Sequence, residues 1–425
     1  MKFILHRATV CDIQSDYNAK TCDIFIRDGV IEKIQSAAKS IPKVSGYKTI
    51  DCRNQLVSPG FCDMRASLGE PGFEYKETLQ TAAKAAQAGG YTTVVCLPNT
   101  APVIQSKSDI EFVTSKSAQL PVHILPAGAL THNREGTDMN ELYDMHTAGA
   151  VAFTDGNKPV MNSGLLQRAL EYARHFNGLI YIHAHDLSLS PQYGVSEGEA
   201  ATWLGMKGVP WLAETTMIMR DIELAAYSNH RIHISHISSR QSVNLIRKAK
   251  KAGARITCDV AVAHLCFTDK SLAEYDTYYK ITPPLRSEAD RKALWDGLAD
   301  GTIDAIVSDH QPQNPENKQV EFEYAADGMI QLQTAYSLLC MYAPKQMHTD
   351  TLIQKLTAHP RAILSLPAVK IAAGSTAELV IHQPDQNWNY LEHTNASLSK
   401  NSPVLGQTLT GKIISTLNKD QLHHA

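Results

Sequence analysis

The chain has 425 residues, 40 Lys and Arg against 43 Asp and Glu, a formal net charge of −3, and 43% hydrophobic residues. This balance excludes disordered, collagen-like and membrane-embedded classes, and the lack of net positive charge argues against a nucleic-acid or anionic-membrane surface. At ~150 residues per domain the length allows about three, although one α/β barrel takes up roughly 250 by itself. Small molecules or proteins are the expected partners.

Eight cysteines, Cys11, Cys22, Cys52, Cys62, Cys96, Cys258, Cys266 and Cys340, carry no CxxC pair and read as reduced, mostly buried thiols of a cytoplasmic protein. The opening Met1 to Leu5 meets His6 and Arg7 at once, too short an apolar run for a signal peptide, and no stretch nears ~18 apolar residues. No membrane span is expected.

Short β-like runs come first, at Phe3 to Thr9, Cys22 to Arg27, Val30 to Ile34 and Thr49 to Asp51, separated by turn-rich segments. From about residue 57, apolar runs alternate with amphipathic stretches. The predicted strands are Ser58 to Asp63, Thr92 to Leu97, Val122 to Ala127, Gly149 to Phe153, Leu179 to His183, Ile232 to His236, Arg255 to Asp259 and Ile303 to Ser308. Predicted helices include Tyr75 to Ala88, Ser163 to His175, Ala213 to Ser228, Ser242 to Ala252 and Asp350 to Leu364. Eight strands interleaved with helices predict a (β/α)8 TIM-type barrel over 57–366. The β-like runs Glu378 to His382 and Thr408 to Leu417 match the head of the chain, so 1–56 and 367–425 are expected to form one composite β-sandwich.

A barrel of this kind gathers chemistry at the C-terminal ends of its strands. Those ends read Phe153-Thr154-Asp155, Ile182-His183-Ala184-His185-Asp186, His233-Ile234-Ser235-His236 and Ser308-Asp309-His310. An Asp, two His and another Asp suit a metal that activates water, with a carboxylate taking the proton. Singly, each has a plainer reading, a satisfied buried His or an Asp capping the next helix.

The runs Leu56 to Asp63, Glu70 to Thr78, Gly89 to Val95 and Leu97 to Thr100 resemble the dihydroorotases of the cyclic amidohydrolase superfamily. Gly149 to Asp155, Arg220 to Ala225, Pro283 to Glu288 and Asp300 to Asp304 follow in family order. The resemblance implies an amidohydrolase (β/α)8 barrel and zinc-dependent interconversion of carbamoyl aspartate and dihydroorotate in pyrimidine synthesis. It implies that Asp309 is the catalytic acid/base, Asn99 a substrate contact, and Asp155, His183 and His236 metal ligands.

This chain departs from the family where the first strand should end in Asp-x-His-x-His-x-Arg. It reads Asp63-Met64-Arg65-Ala66-Ser67-Leu68-Gly69, so both histidines and the substrate-gripping arginine are replaced, by Arg65, Ser67 and Gly69. Thr282 stands for an asparagine, Gln313 for a histidine, and Ala326-Asp327-Gly328 for Pro-Phe-Gly. Arg65 cannot lose its proton and would repel a divalent ion, either pointing outward or pairing with Asp155 or Asp309. One zinc or none is therefore expected. His264 and His310 read as packing or supporting residues, His185 as a supporting residue or an added ligand, and Lys158 as a turn residue.

Two readings stay open. The first is a degenerate, catalytically impaired or inactive dihydroorotase-like pseudoenzyme that scaffolds aspartate carbamoyltransferase. The second is an active dihydroorotase or related cyclic amidohydrolase with a one-metal site and a small-molecule substrate. Neither involves nucleic acid or membrane, and self-association into a homo-oligomer is expected.

Overall fold

The structure, a computed structural model, describes residues 2–190 and 194–424. Parallel strands Phe61–Ala66, Tyr91–Cys96, His123–Gly128, Ala152–Phe153, Ile180–His183, Ile232–Ser235, Ile256–Ala261 and Ala305–Val307 lie side by side in chain order. The two edge strands are drawn together where Ala66 bridges His310 and the Ser67 N–H donates to the His310 carbonyl at 2.8 Å. This is the (β/α)8 barrel that the alternation predicts. Leu79, Leu165, Leu166, Ile218, Val243 and Leu294, from five of the helices, are buried in the largest apolar cluster, which packs them against the strands.

A second, mixed sheet takes strands from both ends of the chain. Strand Leu56–Pro59 lies between Lys2–Val10 and Leu379–Asn389, with Thr408–Asn418 and Gln421–His424 beyond the latter and Thr21–Arg27 and Val30–Ser36 beyond the former. Lys48–Asp51 pairs in parallel with Lys2–Val10. The strand predicted at Ser58 to Asp63 is thus two strands in two sheets. The chain crosses between them at Gly60, where a Cβ would lie 2.2 Å from the Thr92 side chain, so only glycine permits the approach.

Two predicted helices differ for local reasons. The first begins at Leu79 rather than Tyr75, because Thr78 and Thr81 form a reciprocal capping box that fixes the N-terminus. The stretch Asp350 to Leu364 splits into Thr349–Leu356 and Ala358–Ile363. Pro360 has no N–H to give the Leu356 carbonyl and its ring would clash with it, and Thr357 breaks with φ −127° and ψ −84°. Seven of the eight cysteines are buried and all are free thiols. No helix among the described residues is long and apolar enough to cross a membrane.

The Arg220-Asp221 pair has a structural role. Arg220 donates to the carbonyls of Val160 and Met161 and to Asp221 Oδ1 at 2.7 Å, clamping helix Trp211–Tyr227 to the loop after the fourth barrel strand. Burial nevertheless pushes the Asp221 carboxyl up to about 7, against the opposing pull of Arg220. A carboxyl that holds its proton more tightly when folded stabilises the fold at low pH and loses that contribution as pH rises toward 7. Between about pH 4 and 7 the wild type is expected to lose up to ~1 kcal/mol per pH unit relative to Asp221→Asn. Urea unfolding of both proteins at pH 5 and 8 checks it; parallel pH profiles would be the contrary result.

Candidate active site

Arg65 lies at the mouth of the barrel, fully buried. Its Nε donates to Asp309 Oδ1 at 2.8 Å, Nη1 to Ser235 Oγ at 3.3 Å, and Nη2 to Asn157 Oδ1. The Asn157 amide donates to Gln311 Oε1 at 3.0 Å, and the Gln311 amide donates back to Asp309 Oδ1 at 2.9 Å. Four side chains from the first strand, the loop after the fourth, and the segment after the eighth thus close a ring, with every donor set against an acceptor. Arg65 thus points inward and pairs with Asp309, not with Asp155. Burial pushes the Asp309 carboxyl up while Arg65 and Gln311 oppose it. Asp309 and His236 both sit at positive φ, +48° and +40°, a conformation uncommon for such residues that is held here by the surrounding bonds.

His183 and His236 stack with ring centroids 4.7 Å apart and 17° between planes. Burial first, and the adjacent Arg65 second, hold both imidazoles well below their ordinary range, so both are neutral. Neither ring nitrogen of His236 has a hydrogen-bond partner among the described residues. Asp155 faces elsewhere, taking the Thr131 N–H at 2.9 Å and the Thr131 hydroxyl at 2.6 Å, while its carbonyl accepts from Arg134 Nε at 2.9 Å. Burial raises the Asp155 carboxyl despite those donors.

Asn99 donates to Ser67 Oγ at 2.7 Å, so the retained asparagine is bonded to the residue that replaces the second histidine. His185 Nε2 is 2.7 Å from the Ser190 carbonyl, and His264 Nε2 is 3.0 Å from the Pro283 carbonyl. His310 Nδ1 accepts from the backbone of Gln331 at 3.2 Å and Leu332 at 3.3 Å. These three are held by main-chain groups, and Lys158 is exposed in its turn.

The altered substrate shell is bonded to itself. The Thr282 hydroxyl donates to Asp327 Oδ2, and Gln313 Nε2 donates to the Asp327 carbonyl at 2.9 Å. Gln313 N–H also donates to Asn401 Oδ1 at 3.0 Å, and the Asn401 amide reaches the carbonyls of Gln311 at 2.9 Å and Gly328 at 3.1 Å. Three positions that read separately as losses are therefore one closed network. Gly69 turns at φ +72° between Leu68 and Glu70.

Zinc suits this donor set poorly. His183 and His236 are neutral nitrogen donors, and the unpartnered His236 ring suits a metal. Against that, Arg65 sets a permanent positive charge beside both rings, and both Asp155 oxygens are taken by Thr131. Among the described residues, no three His, Cys, Asp or Glu side chains are gathered as ligands. Asn157, Gln311 and Thr131 were not singled out from sequence. They are neutral residues outside the barrel strands, in no motif with a periodic or charge signal.

The family model described as dihydro-orotase-like matches residues 54–242. A dihydroorotase of Syntrophus aciditrophicus is 38% identical over 98% of this chain and 98% of its own length. One from Pelotomaculum thermopropionicum is 40% identical over 97% and 96%. Among solved structures, the L-hydantoinase of Arthrobacter aurescens superposes with a TM-score of 0.85 at 23% identity, covering 99% of this chain and 95% of that one. The dihydropyrimidinase of Brevibacillus agri gives 0.83 at 19%, over 99% and 95%. At those identities the superpositions establish the amidohydrolase-type barrel. The full-length likeness to dihydroorotases goes further: this chain belongs to the dihydroorotase-like family.

Proposed function

We propose that this chain is a dihydroorotase-family protein of pyrimidine synthesis whose barrel mouth does not carry out the metal-assisted ring opening and closure. The observation that supports this most is the buried Arg65–Asp309 pair. An acid/base must be free to pass a proton to a reacting group, and one oxygen of the Asp309 carboxylate, Oδ1, is held instead by a guanidinium and an amide, Arg65 and Gln311. Such a framework would be kept for assembly, and the family resemblance makes aspartate carbamoyltransferase the partner to test, by co-purification and mutual stabilisation.

A second reading, an active dihydroorotase acting on dihydroorotate and carbamoyl aspartate, is favoured by the comparisons. Relatives alike over nearly the whole chain bear that name, and both nitrogens of the buried His236 ring lack a hydrogen-bond partner among the described residues. Dihydroorotate hydrolysis by zinc-supplemented protein, beside Asp309→Ala prepared identically, separates the two. The first reading expects wild-type turnover equal to that of the variant. Turnover above it makes the protein an active dihydroorotase.

A further inference from the structure

We infer that the Arg65 guanidinium is a built-in cation standing in for the family's metal, tying the strands at the barrel mouth together so that the fold needs no divalent ion. A metal at this place in the family would draw residues of several strands to one positive centre. Arg65 does the same work from within the chain: it joins the first strand to Asp309 after the eighth, Ser235 on the sixth and Asn157 after the fourth. Its planar fork can aim separate N–H groups at partners in different directions, which a lysine ammonium does less specifically. Full burial makes the pairing strict, because an unpaired charge in this interior would be costly.

The surrounding groups fit a fixed cation. Among the described residues, Asp309 supplies the carboxylate that pairs with the guanidinium. Asn157 and Gln311 relay hydrogen bonds from one side of the Arg65 fork back to Asp309, so the ring is satisfied without an ion. Both Asp155 carboxylate oxygens accept from Thr131.

This goes beyond the catalytic question, because it is read by metal content and stability instead of turnover. Purified full-length protein is dialysed against zinc, then against buffer, its metal content measured, and its melting temperature taken with zinc and with EDTA. The expected result is zinc well below one ion per chain and melting temperatures within about 1 °C of each other, since a bound ion would raise the value measurably. Arg65→Met is expected to lower the melting temperature by roughly 3–6 °C, by leaving Asp309 buried without its partner. Asp309→Asn in that background is expected to recover most of the loss, a coupling that lost packing alone would not produce.

Near-stoichiometric zinc with an EDTA-sensitive melting temperature would overturn the inference. So would an Arg65→Met protein as stable as wild type, or a double variant no better than Arg65→Met. If Arg65→Met does not fold, the wild-type metal and EDTA measurements decide. Turnover in a protein that holds no zinc would sink the non-catalytic reading and leave this one standing.

Discussion

Gly69→Arg, which restores the residue that grips substrate in related dihydroorotases, is expected to cost more than ~4 kcal/mol of stability or to prevent folding. A Cβ at position 69 would lie 2.3 Å from the Glu77 carbonyl oxygen and 2.9 Å from that of Phe73, and φ is +72°. Both clashes are with backbone, so no rotamer relieves them. The backbone cannot shift cheaply either. The Gly69 carbonyl accepts the Phe73 N–H at 2.7 Å, and the Glu77 carboxylate holds the Leu398 N–H at 3.1 Å and the Ser397 hydroxyl. Because the clash begins at Cβ, Gly69→Ala is expected to cost nearly as much. Urea midpoints of the three proteins check this, and an alanine variant within about 0.5 kcal/mol of wild type would contradict it. Restoring His at 65 and 67 alone would leave this turn, Thr282 and Gln313 unchanged, so normal turnover is not expected from that double variant.

The barrel was legible because apolar runs and amphipathic stretches alternate eight times, a pattern that short-range chemistry writes directly into the chain. Its edges were less so. Nothing around Ser58 to Asp63 marks the crossing between sheets except Gly60, whose reason is a contact with Thr92, a residue 32 positions on. At the site, the permanent charge on Arg65 left it either pointing outward or pairing with one of two strand-end carboxylates, Asp155 or Asp309. Choosing between them needed Thr131, which takes both Asp155 oxygens from a loop that carries no motif. The mutual bonding of Thr282, Gln313 and Asp327 was likewise invisible, because the three are far apart in sequence and each reads alone as a lost contact. Long-range pairing of neutral polar side chains leaves no periodic trace.

Glu214→Leu is expected to destabilise the protein by roughly 3–5 kcal/mol, although leucine is the more natural core residue. Glu214 lies on helix Trp211–Tyr227 and is almost fully buried. It accepts the backbone N–H groups of Ser238 at 3.1 Å and Ser239 at 3.2 Å, and the hydroxyls of Ser238, Ser239 and Ser242. It also lies 3.5 Å from Arg286 of the Pro283 to Glu288 motif, whose Nε donates to Ser238 Oγ at 2.7 Å. One carboxylate thus anchors the N-terminus of helix Arg240–Lys251, which Ser239 caps, and neutralises a buried guanidinium. Leucine would strand all of these groups at once. Burial pushes the Glu214 carboxyl up, but Arg286 and the serine donors prevail and hold it below the usual range. A carboxyl depressed in the fold contributes stability that is present above its unfolded value and lost as pH falls through its folded one. The gap between wild type and Glu214→Leu should therefore narrow in acid, while Glu214→Gln, keeping the shape without the charge, should fall between them. Urea unfolding of the three proteins at pH 7 and at pH 3 reads both effects. A leucine variant as stable as wild type at pH 7 would show that these serines and Arg286 find other partners.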